Sequence, residues 1–325
     1  WWVVVKKGAH KAGDAVVYFE IDSWVPHELA PFLTKSAEPR EYEGVKGERL
    51  KTVRLRKQVS QGLIIDIPQG VASHIIKTMG AGPGAKFTDY EGLDLTEFLH
   101  VKKYDPPVGP GEQGVRRGNW PDGIPKTDEE RIQNFTRREL EAAAIGIYEV
   151  TEKLDGSSCT FAMVNGEFIV CSRNVNLVEA EGNRFWELAR RYSVEEGMRA
   201  EGMDNIALQG EMCGEGIQGN KYQLKGHNFY LFKVYDIVAA RYLTPNERYV
   251  VRDKLGLTHV PVLKFDAELV SDAPGFVEAV LMYAEGESAL GKGIEREGVV
   301  FVNHDTDTHF KAISNKFLLK WDKRD

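Results

Sequence analysis

The sequence predicts an α+β protein in which a small β-rich module precedes a larger domain of mostly antiparallel strands. Three observations support this prediction. Short strand-like runs fill the first hundred residues, a stretch rich in glycine and proline follows, and strands then alternate with helix patterns. At 325 residues the chain exceeds what one hydrophobic core usually supports, which favours two domains.

Residues 1–104 are predicted to form the β-rich module. The candidate strands are separated by glycine, proline and charged turns, and a short helical pattern follows at 93–101. Short strands at this spacing are typical of a small barrel or an OB-like fold. The predicted strands cover residues 2–6, 15–21, 51–56 and 62–67.

Residues 105–125 are predicted to be a linker because proline and glycine recur throughout them. The second domain, residues 126–325, opens on a helix start in which Thr127 is the cap and Glu130 follows three residues later. A second start combines Thr244 as cap with Pro245 at the first helical position. Strands are predicted at 160–164, 168–172, 206–211, 229–237, 298–302 and 309–313, and helices at 179–191 and 275–284.

Composition indicates a soluble globular protein, with 42% hydrophobic and 28% charged residues and no apolar run long enough to span a membrane. Cys159, Cys171 and Cys213 form no Cys-x-x-Cys pair, which argues against a zinc site or a disulfide framework. We therefore expect a reducing, cytoplasmic location. Because the chain begins at Trp1 without a Met, we expect its native N-terminus to lie upstream, where a targeting signal stays untested.

The net charge of −7 argues against indiscriminate nucleic-acid binding but permits a local basic surface. One basic stretch in the first module ends with Arg54, Arg56 and Lys57. It is either a surface that follows nucleic-acid phosphates or a solvated strand face, and the stretch alone does not decide between them.

Lys153 ends an apolar strand pattern and is followed by Leu154, Asp155 and Gly156. Lysine is ordinarily a poor nucleophile, because its pKa of about 10.4 keeps it protonated at neutral pH. Burial or a nearby cation must lower that pKa before the amine can attack. The motif alone is a weak signal, since any strand that runs into a turn can produce it.

Further residues of the second domain suit a nucleotide phosphate and a divalent metal ion. Arg173 and Lys311 can neutralise phosphate charge, whereas Asp155, Glu211 and Glu297 are oxygen donors for Mg²⁺ or Mn²⁺, directly or through water. Each residue also has an ordinary structural explanation as a surface cation, a turn residue or a strand start. The ordered set is what indicates adenylyl transfer, which depends on positioning and positive charge around the phosphate.

Two more residues complete this set. Tyr235, in an apolar strand, offers an aromatic face for a purine base, although a tyrosine in such a strand is more often part of the core. Gly156 permits close approach of the backbone to a ligand.

Taken in order, these motifs resemble those of the covalent lysine nucleotidyltransferases, and within them the ATP-dependent RNA ligases of the Deinococcus/Naegleria type. The resemblance rests on the segments 2–8, 13–23, 126–134, 152–158 and 310–317 and spans nearly the whole chain. It implies an N-terminal OB module followed by an antiparallel-sheet nucleotidyltransferase (adenylyltransferase) domain.

The resemblance also implies a reaction in three steps, with ATP as substrate and Mg²⁺ or Mn²⁺ as cofactor. Lys153 forms a lysyl–AMP, the AMP passes to the 5′-phosphate of an RNA, and a 3′-hydroxyl attacks to seal the strand. The expected substrates include nicked RNA or RNA/DNA duplexes. A monomer without membrane attachment is expected.

By the same resemblance, Arg131 lies near the phosphates, Arg173 contacts the nucleotide or the RNA phosphate, and Tyr235 stacks on adenine. Arg54, Arg56 and Lys57 of the OB module are expected to contact nucleic acid. The predicted catalytic residues are Lys153, Arg131, Arg173, Lys311 and Lys316. The predicted nucleotide-binding residues are Glu152, Asp155, Gly156, Arg173, Glu211, Tyr235, Glu297 and Lys311, with Asp155, Glu211 and Glu297 around the metal.

One position departs from the family pattern. Related ligases often carry Lys-x-Lys in the last motif, whereas here Ile313 follows Lys311 and Ala312. Lys316 is the nearest substitute for the second lysine, and Lys233 or the first module are alternatives.

Other functions were weighed against an RNA ligase. In DNA ligases and mRNA capping guanylyltransferases an OB domain typically follows the nucleotidyltransferase domain, whereas here the β-rich module comes first. A non-catalytic nucleic-acid-binding protein would have no need of an intact Lys153, Asp155, Glu211, Glu297 and Lys311.

Overall fold

The computed structural model describes residues 2–34, 38–80, 82, 84–105, 116–269 and 273–321. The chain divides into two compact units, one made of residues 1–107 with 318–325 and the other of residues 108–317. Neighbouring strands within their sheets pair antiparallel. Among the described residues, no helix is long and apolar enough to cross a membrane.

The first unit contains short strands in three small sheets. Their orders are β3-β4-β2-β8, β1-β7 and β5-β6. The strands are β1 (Val17–Phe19), β2 (Ser23–Pro26), β3 (Arg40–Tyr42), β4 (Val45–Arg49), β5 (Val53–Leu55), β6 (Gln58–Ser60), β7 (Leu63–Ile65) and β8 (Lys102–Lys103).

The single α-helix described in residues 2–105, α1 (Val71–Met79), was not predicted. Val71 and Ile75 lie one turn apart and are buried in the core of this unit, and Gly80 ends the helix in the left-handed conformation. The predicted helix at 93–101 is wrong, because this segment forms turns around the buried Leu99. The predicted strand at 2–6 is also absent.

The second unit is built on two antiparallel sheets. The larger has the order β16-β15-β14-β11-β12-β13-β9 and the smaller β17-β10-β18-β19. The strands are β9 (Arg116–Asn119), β10 (Ile147–Lys153), β11 (Ser157–Val164), β12 (Glu167–Cys171), β13 (Val175–Leu177), β14 (Ile206–Gly214), β15 (His227–Asp236), β16 (Arg241–Tyr242), β17 (Val262–Glu268), β18 (Gly298–Asn303) and β19 (His309–Ile313).

Helices cover one side of each sheet and bury an apolar core there. The core of the larger sheet includes Phe161, Leu188 and Met198, and that of the smaller sheet includes Tyr148, Phe276 and Phe310. The strand alternation therefore leaves the opposite side of each strand free to carry polar side chains. The helices are α2 (Arg137–Ala143), α3 (Arg184–Arg191), α4 (Val194–Ala200), α5 (Pro245–Leu255), α6 (Ala273–Ala284) and α7 (Asn315–Trp321), and residues 318–321 of α7 fall in the first unit.

Helix α5 begins as predicted, with Thr244 and Glu247 in a reciprocal capping box and Pro245 at its start. The predicted helix start at Thr127 is wrong. The Thr127 hydroxyl lies 2.8 Å from that of Ser158, and the first α-helix of this region, α2, is capped instead by Thr136.

The predicted linker is shorter than 105–125. Residues 106–115 lie outside the described residues, but 116–119 form β9, which pairs with β13 in the larger sheet. Ile124 is buried against Ala162 and Ala207 of the same sheet. Residues 116–125 therefore belong to the second unit, because they complete its sheet and its core.

Candidate active site

Lys153 is the last residue of β10, on the side of the strand that faces away from the core of the smaller sheet. Its Nζ atom donates hydrogen bonds to both carboxylate oxygens of Glu297, at 2.8 and 2.9 Å. Glu297 immediately precedes β18, whose first residue, Gly298, pairs with Lys153. Backbone pairing thus fixes the position of the predicted nucleophile beside a carboxylate.

The pKa of Lys153 is raised above its ordinary value. Burial by itself lowers the pKa, but the negative charges of Glu297 and Glu211 outweigh that effect. Lys153 is therefore an ammonium ion paired with Glu297. Further positive charge at the site is needed to lower its pKa and release the proton.

Glu211 lies on β14, directly opposite Ser158 of β11. One of its carboxylate oxygens accepts a hydrogen bond from the backbone N–H of Gly156, at 3.0 Å. A side chain at Gly156 would meet the Met212 carbonyl oxygen at 2.4 Å, so only glycine fits this crossing. Burial raises the pKa of Glu211 to about 8, against the opposing effect of Lys153.

Asp155 is held by two residues that the sequence did not reveal. Its carboxylate forms an ion pair with Lys221, and its backbone N–H donates to the Tyr222 hydroxyl at 2.8 Å. Both residues come from a loop after β14 that contains no recognisable motif. The loop that carries Lys221 and Tyr222 therefore fixes the position of the turn after Lys153.

Arg131 and Lys311 lie side by side. The two residues form an isolated parallel bridge, and the N–H of Lys311 donates to the Glu130 carbonyl at 2.8 Å. Burial, together with the charges of Lys153 and Arg131, lowers the pKa of Lys311 to about 8. The structure thus brings three predicted cationic residues near one another, although they repel.

Two other predicted cations have separate partners. Arg173, just after β12, donates to Asp128 at 3.0 Å and is about two-fifths exposed. Lys316, on α7, lies 3.4 Å from Glu285, and 65% of its side chain is exposed. This placement does not support Lys316 as the substitute for the missing second lysine.

Lys233 belongs to a buried polar cluster with Glu129 and His309. Its ammonium ion also lies 4.3 Å from the centre of the Tyr242 ring. The Lys233 ammonium ion is also 3.2 Å from the His309 ring, and His309 and Ile313 are the two ends of β19, so Lys233 is held away from the position of the missing lysine.

The structure corrects the prediction for Tyr235. This residue pairs with Ala207, four positions along β14 from Glu211, or roughly 13 Å. It packs against Tyr242 and beside Ile124. It therefore lies at the wrong end of its strand to stack on a base bound near Lys153.

Tyr230 and Phe232 are the aromatic residues of β15 that pack in a cluster with Leu154, next to Lys153. Tyr230 is buried, whereas Phe232 is half-buried and keeps part of its ring accessible. The pairing register shifts between Gln209 and Gly210, which makes Phe232 an extra residue in its strand. A simple alternation along the sequence cannot show this change of direction.

Glu152 is buried at the end of β10. Its carboxylate accepts a hydrogen bond from the Ala289 N–H at 2.7 Å, and burial raises its pKa. The next residue, Leu290, packs in the cluster that contains Phe232 and Leu154. Glu152 and Phe232 therefore lie on the same apolar side of the site.

The acidic residues predicted to bind metal do not form a preassembled set of direct ligands. Within the described ranges, no group of three or more His, Cys, Asp or Glu residues is arranged to hold an ion directly. Glu297 is bound to Lys153 and Asp155 to Lys221. Their carboxylate oxygens nevertheless suit a hard divalent ion that retains part of its water shell.

Comparison with protein families gives a match between residues 146–321 and the family described as RNA ligase. The chain belongs to the RNA ligase family. A second family, described as an OB-fold domain, matches residues 1–67. Comparison with curated protein sequences gave no match.

Solved structures of an RNA ligase from Naegleria gruberi are similar to this ligase over nearly its whole length. Two variants, one with AMP and Mn and one with ATP and Mn, match with a TM-score of 0.83 and 40% identity over 99% of this chain and 91% of theirs. A structure with PPi matches with a TM-score of 0.82 at the same identity and coverage.

These comparisons confirm the predicted architecture and the prediction of an ATP-dependent RNA ligase. They decide against the DNA ligase, the capping guanylyltransferase and the non-catalytic binding protein that the sequence left open. They do not test the roles of individual residues, which stay predictions.

Proposed function

We propose that this RNA ligase seals 3′-hydroxyl and 5′-phosphate RNA ends, including ends held in nicked duplexes, through lysyl–AMP and adenylylated 5′-phosphate intermediates. The observation that carries the proposal is the convergence of Lys153, Glu297, Glu211 and Lys311 around the end of β10.

In the first step the neutral amine of Lys153 attacks the α-phosphorus of ATP. A phosphorus–nitrogen bond forms, the bond to pyrophosphate breaks, and the amine loses a proton. Lys311 and Arg131 stabilise negative charge on the phosphate. Because both cations also disfavour the ammonium form of Lys153, they help to supply its neutral amine.

Asp155, Glu211 and Glu297 would hold a divalent metal ion through its water shell. When bound, Mn²⁺ or Mg²⁺ supplies positive charge beside the phosphate and the nucleophile. The Naegleria gruberi ligase structures with AMP or ATP contain Mn, which supports this assignment.

We assign the stacking contact with the adenine base to Phe232 and not to Tyr235. An adenine ring stacked on Phe232 would lie beside Leu290 and the carboxylate of Glu152. A carboxylate accepts hydrogen bonds and so suits the exocyclic amino group of adenine. This arrangement would favour ATP over GTP.

The hairpin β5–β6 supports a role of the first unit in RNA binding. Arg54 lies on an exposed strand, and Arg56 and Lys57 form the turn with positive φ of 48° and 73°. All three cations are exposed, as contacts to RNA phosphates require.

Two assays test the proposal. In the first, ligase incubated with α-labelled ATP and Mn²⁺ should retain covalent label, and Lys153→Ala should retain none. In the second, nicked duplexes with RNA or DNA on the 3′-hydroxyl strand are compared. Sealing of all-DNA nicks at the rate of RNA nicks would overturn the RNA specificity, and labelling of Lys153→Ala would overturn the lysyl–AMP intermediate.

A further inference from the structure

At position 313 the site lacks a positive charge, because the residue there is isoleucine. Along β19, Phe310 and Ala312 are buried in the core, so Lys311 and Ile313 point to the opposite side, toward the site. Ile313 pairs with Gly298, which pairs with Lys153. A lysine at 313 would therefore start roughly 10 Å from Lys153, two strands away. The chain places an uncharged side chain there.

Lys221 is a cation that reaches the same region from another element. Its ammonium ion pairs with Asp155, two residues after Lys153. It also lies 4.2 Å from the centre of the Phe317 ring, four residues after Ile313. The Lys221 ammonium group thus lies between Asp155, which follows Lys153, and Phe317, which follows Ile313.

The burial of Lys221 suggests that its positive charge has a functional role and is not needed for stability alone. Only 5% of its side chain is exposed. Removing a charge from water is costly, and replacing a buried ion pair with apolar residues is often neutral or stabilising. The neighbouring Tyr222 hydroxyl accepts from the Asp155 N–H, so two successive residues of one loop hold Asp155. This loop presents its cation at the nucleophile motif.

We propose that Lys221 supplies the positive charge that Ile313 does not, and that it contacts a phosphate group of ATP. The inference rests on the proposed function, because it assumes that ATP is bound with its α-phosphate at Lys153. A charge-assisted hydrogen bond of this kind strengthens binding about 10-fold or more.

The test compares Lys221→Gln, which keeps a donor for Asp155 but removes the charge, with Lys254→Gln as matched control, since Lys254 is an exposed lysine of α5 paired with Glu201. Binding of the unreactive analogue α,β-methylene-ATP with Mn²⁺ is measured, together with covalent labelling as a function of ATP concentration. Lys221→Gln should bind the analogue about 10-fold or more weakly and raise the KM for ATP, whereas Lys254→Gln should match the parent enzyme.

A restored lysine distinguishes a phosphate contact from a structural role. Ile313→Lys in the Lys221→Gln background should recover most of the lost analogue affinity, since it returns a cation to the same region. Melting temperature is measured alongside, and recovery of affinity without recovery of stability indicates a phosphate contact, not a repaired pair with Asp155. Failure of this rescue, or unchanged affinity in Lys221→Gln, overturns the inference.

A measurement on the unaltered enzyme covers the case in which Lys221→Gln does not fold. The analogue should slow acetylation of Lys221, mapped by mass spectrometry, and leave that of the exposed Lys254 unchanged. Equal rates at Lys221 with and without analogue overturn the inference. If the parent enzyme itself forms no lysyl–AMP, the proposed function fails instead; if it does and Lys221→Gln labels equally well, only the inference fails.

Discussion

The Nζ atom of Lys153 lies 2.8 and 2.9 Å from the two carboxylate oxygens of Glu297, so a residue predicted to bind metal holds the nucleophile. This pairing, with the charge of Glu211, is what raises the pKa of Lys153 despite its burial. The resting site therefore stabilises the unreactive form of the amine, and its activation depends on how the carboxylate charges are neutralised.

Replacing Glu297 with glutamine should lower the pKa of Lys153, because it removes a negative charge that favours the ammonium ion. The pKa is measured from the pH dependence of Lys153 acetylation in the absence of nucleotide, with peptides quantified by mass spectrometry. Glu268→Gln, at an exposed position of β17, is the control and should leave the profile in place. An unchanged profile in Glu297→Gln contradicts the explanation given for the raised pKa.

Phe232→Ala should weaken binding of ATP analogues, since base stacking on an aromatic ring contributes about 1–3 kcal/mol. Tyr235→Ala should leave analogue affinity nearly unchanged and lower stability instead, because Tyr235 packs beside Tyr242 and Ile124. Titration calorimetry and thermal melting of the two variants separate these effects. The reverse pattern would restore Tyr235 as the residue that holds the base.

Gly156→Ala should abolish lysyl–AMP formation or strongly destabilise the second unit. The added methyl group would lie 2.4 Å from the Met212 carbonyl oxygen, so backbone must move next to Glu211 and Lys153. Gly118→Ala on β9 is a matched control, because its methyl group would meet no atom within 4 Å. Melting temperature and covalent labelling should be normal in the control, and normal labelling in Gly156→Ala would contradict the prediction.

The buried cluster of Glu129, Lys233 and His309 predicts acid sensitivity. Although burial alone raises the pKa of Glu129, Lys233 and His309 lower it to about 2, below its ordinary value near 4.5. Its contribution to stability is therefore complete above about pH 4.5 and is lost as the pH falls toward 2.

Glu129→Gln should destabilise the protein near pH 7 by roughly 3–5 kcal/mol, because it leaves Lys233 buried without its carboxylate. The difference from the parent enzyme in free energy of unfolding should shrink below pH 4.5, as measured by urea denaturation at a series of pH values. Glu181→Gln, at an exposed position, should differ little at any pH. A pH-independent difference for Glu129→Gln would contradict the assigned charge state.

Replacing Arg54, Arg56 and Lys57 with alanine should weaken RNA binding and reduce its dependence on salt. Each lost phosphate contact lowers the slope of log affinity against log salt by about 0.7–0.9. Binding of a nicked RNA duplex is measured from low to high salt, and lysyl–AMP formation serves as the control that should not change. An unaltered slope of log affinity against log salt would mean that these three residues make no contact with RNA phosphates.

Much of the site was readable because its residues stand at the ends of strands, where local sequence fixes both the strand and the turn. Lys153, Gly156 and Glu297 were recognised in this way, whereas Glu211 lies within β14, which continues to Gly214. Pairing of β10, β11, β14 and β18 brings the four together. The capping box at Thr244 was equally local. The same Thr-x-x-Glu pattern at Thr127 does not start a helix, because contacts with Ser158 and with β19 hold this segment in another conformation.

By itself, then, the sequence determined the α+β class, the order of the two modules, the RNA ligase family and the lysine that carries the chemistry. Tertiary structure alone decided which aromatic side chain reaches the site, since Tyr235 pairs with Ala207 far along β14 from Glu211, whereas Phe232 packs in the cluster that contains Leu154. It also decided the partner of Asp155, because Lys221 lies more than sixty residues away in a loop without a motif. Such contacts depend on register and chain crossing, which no short stretch of sequence encodes.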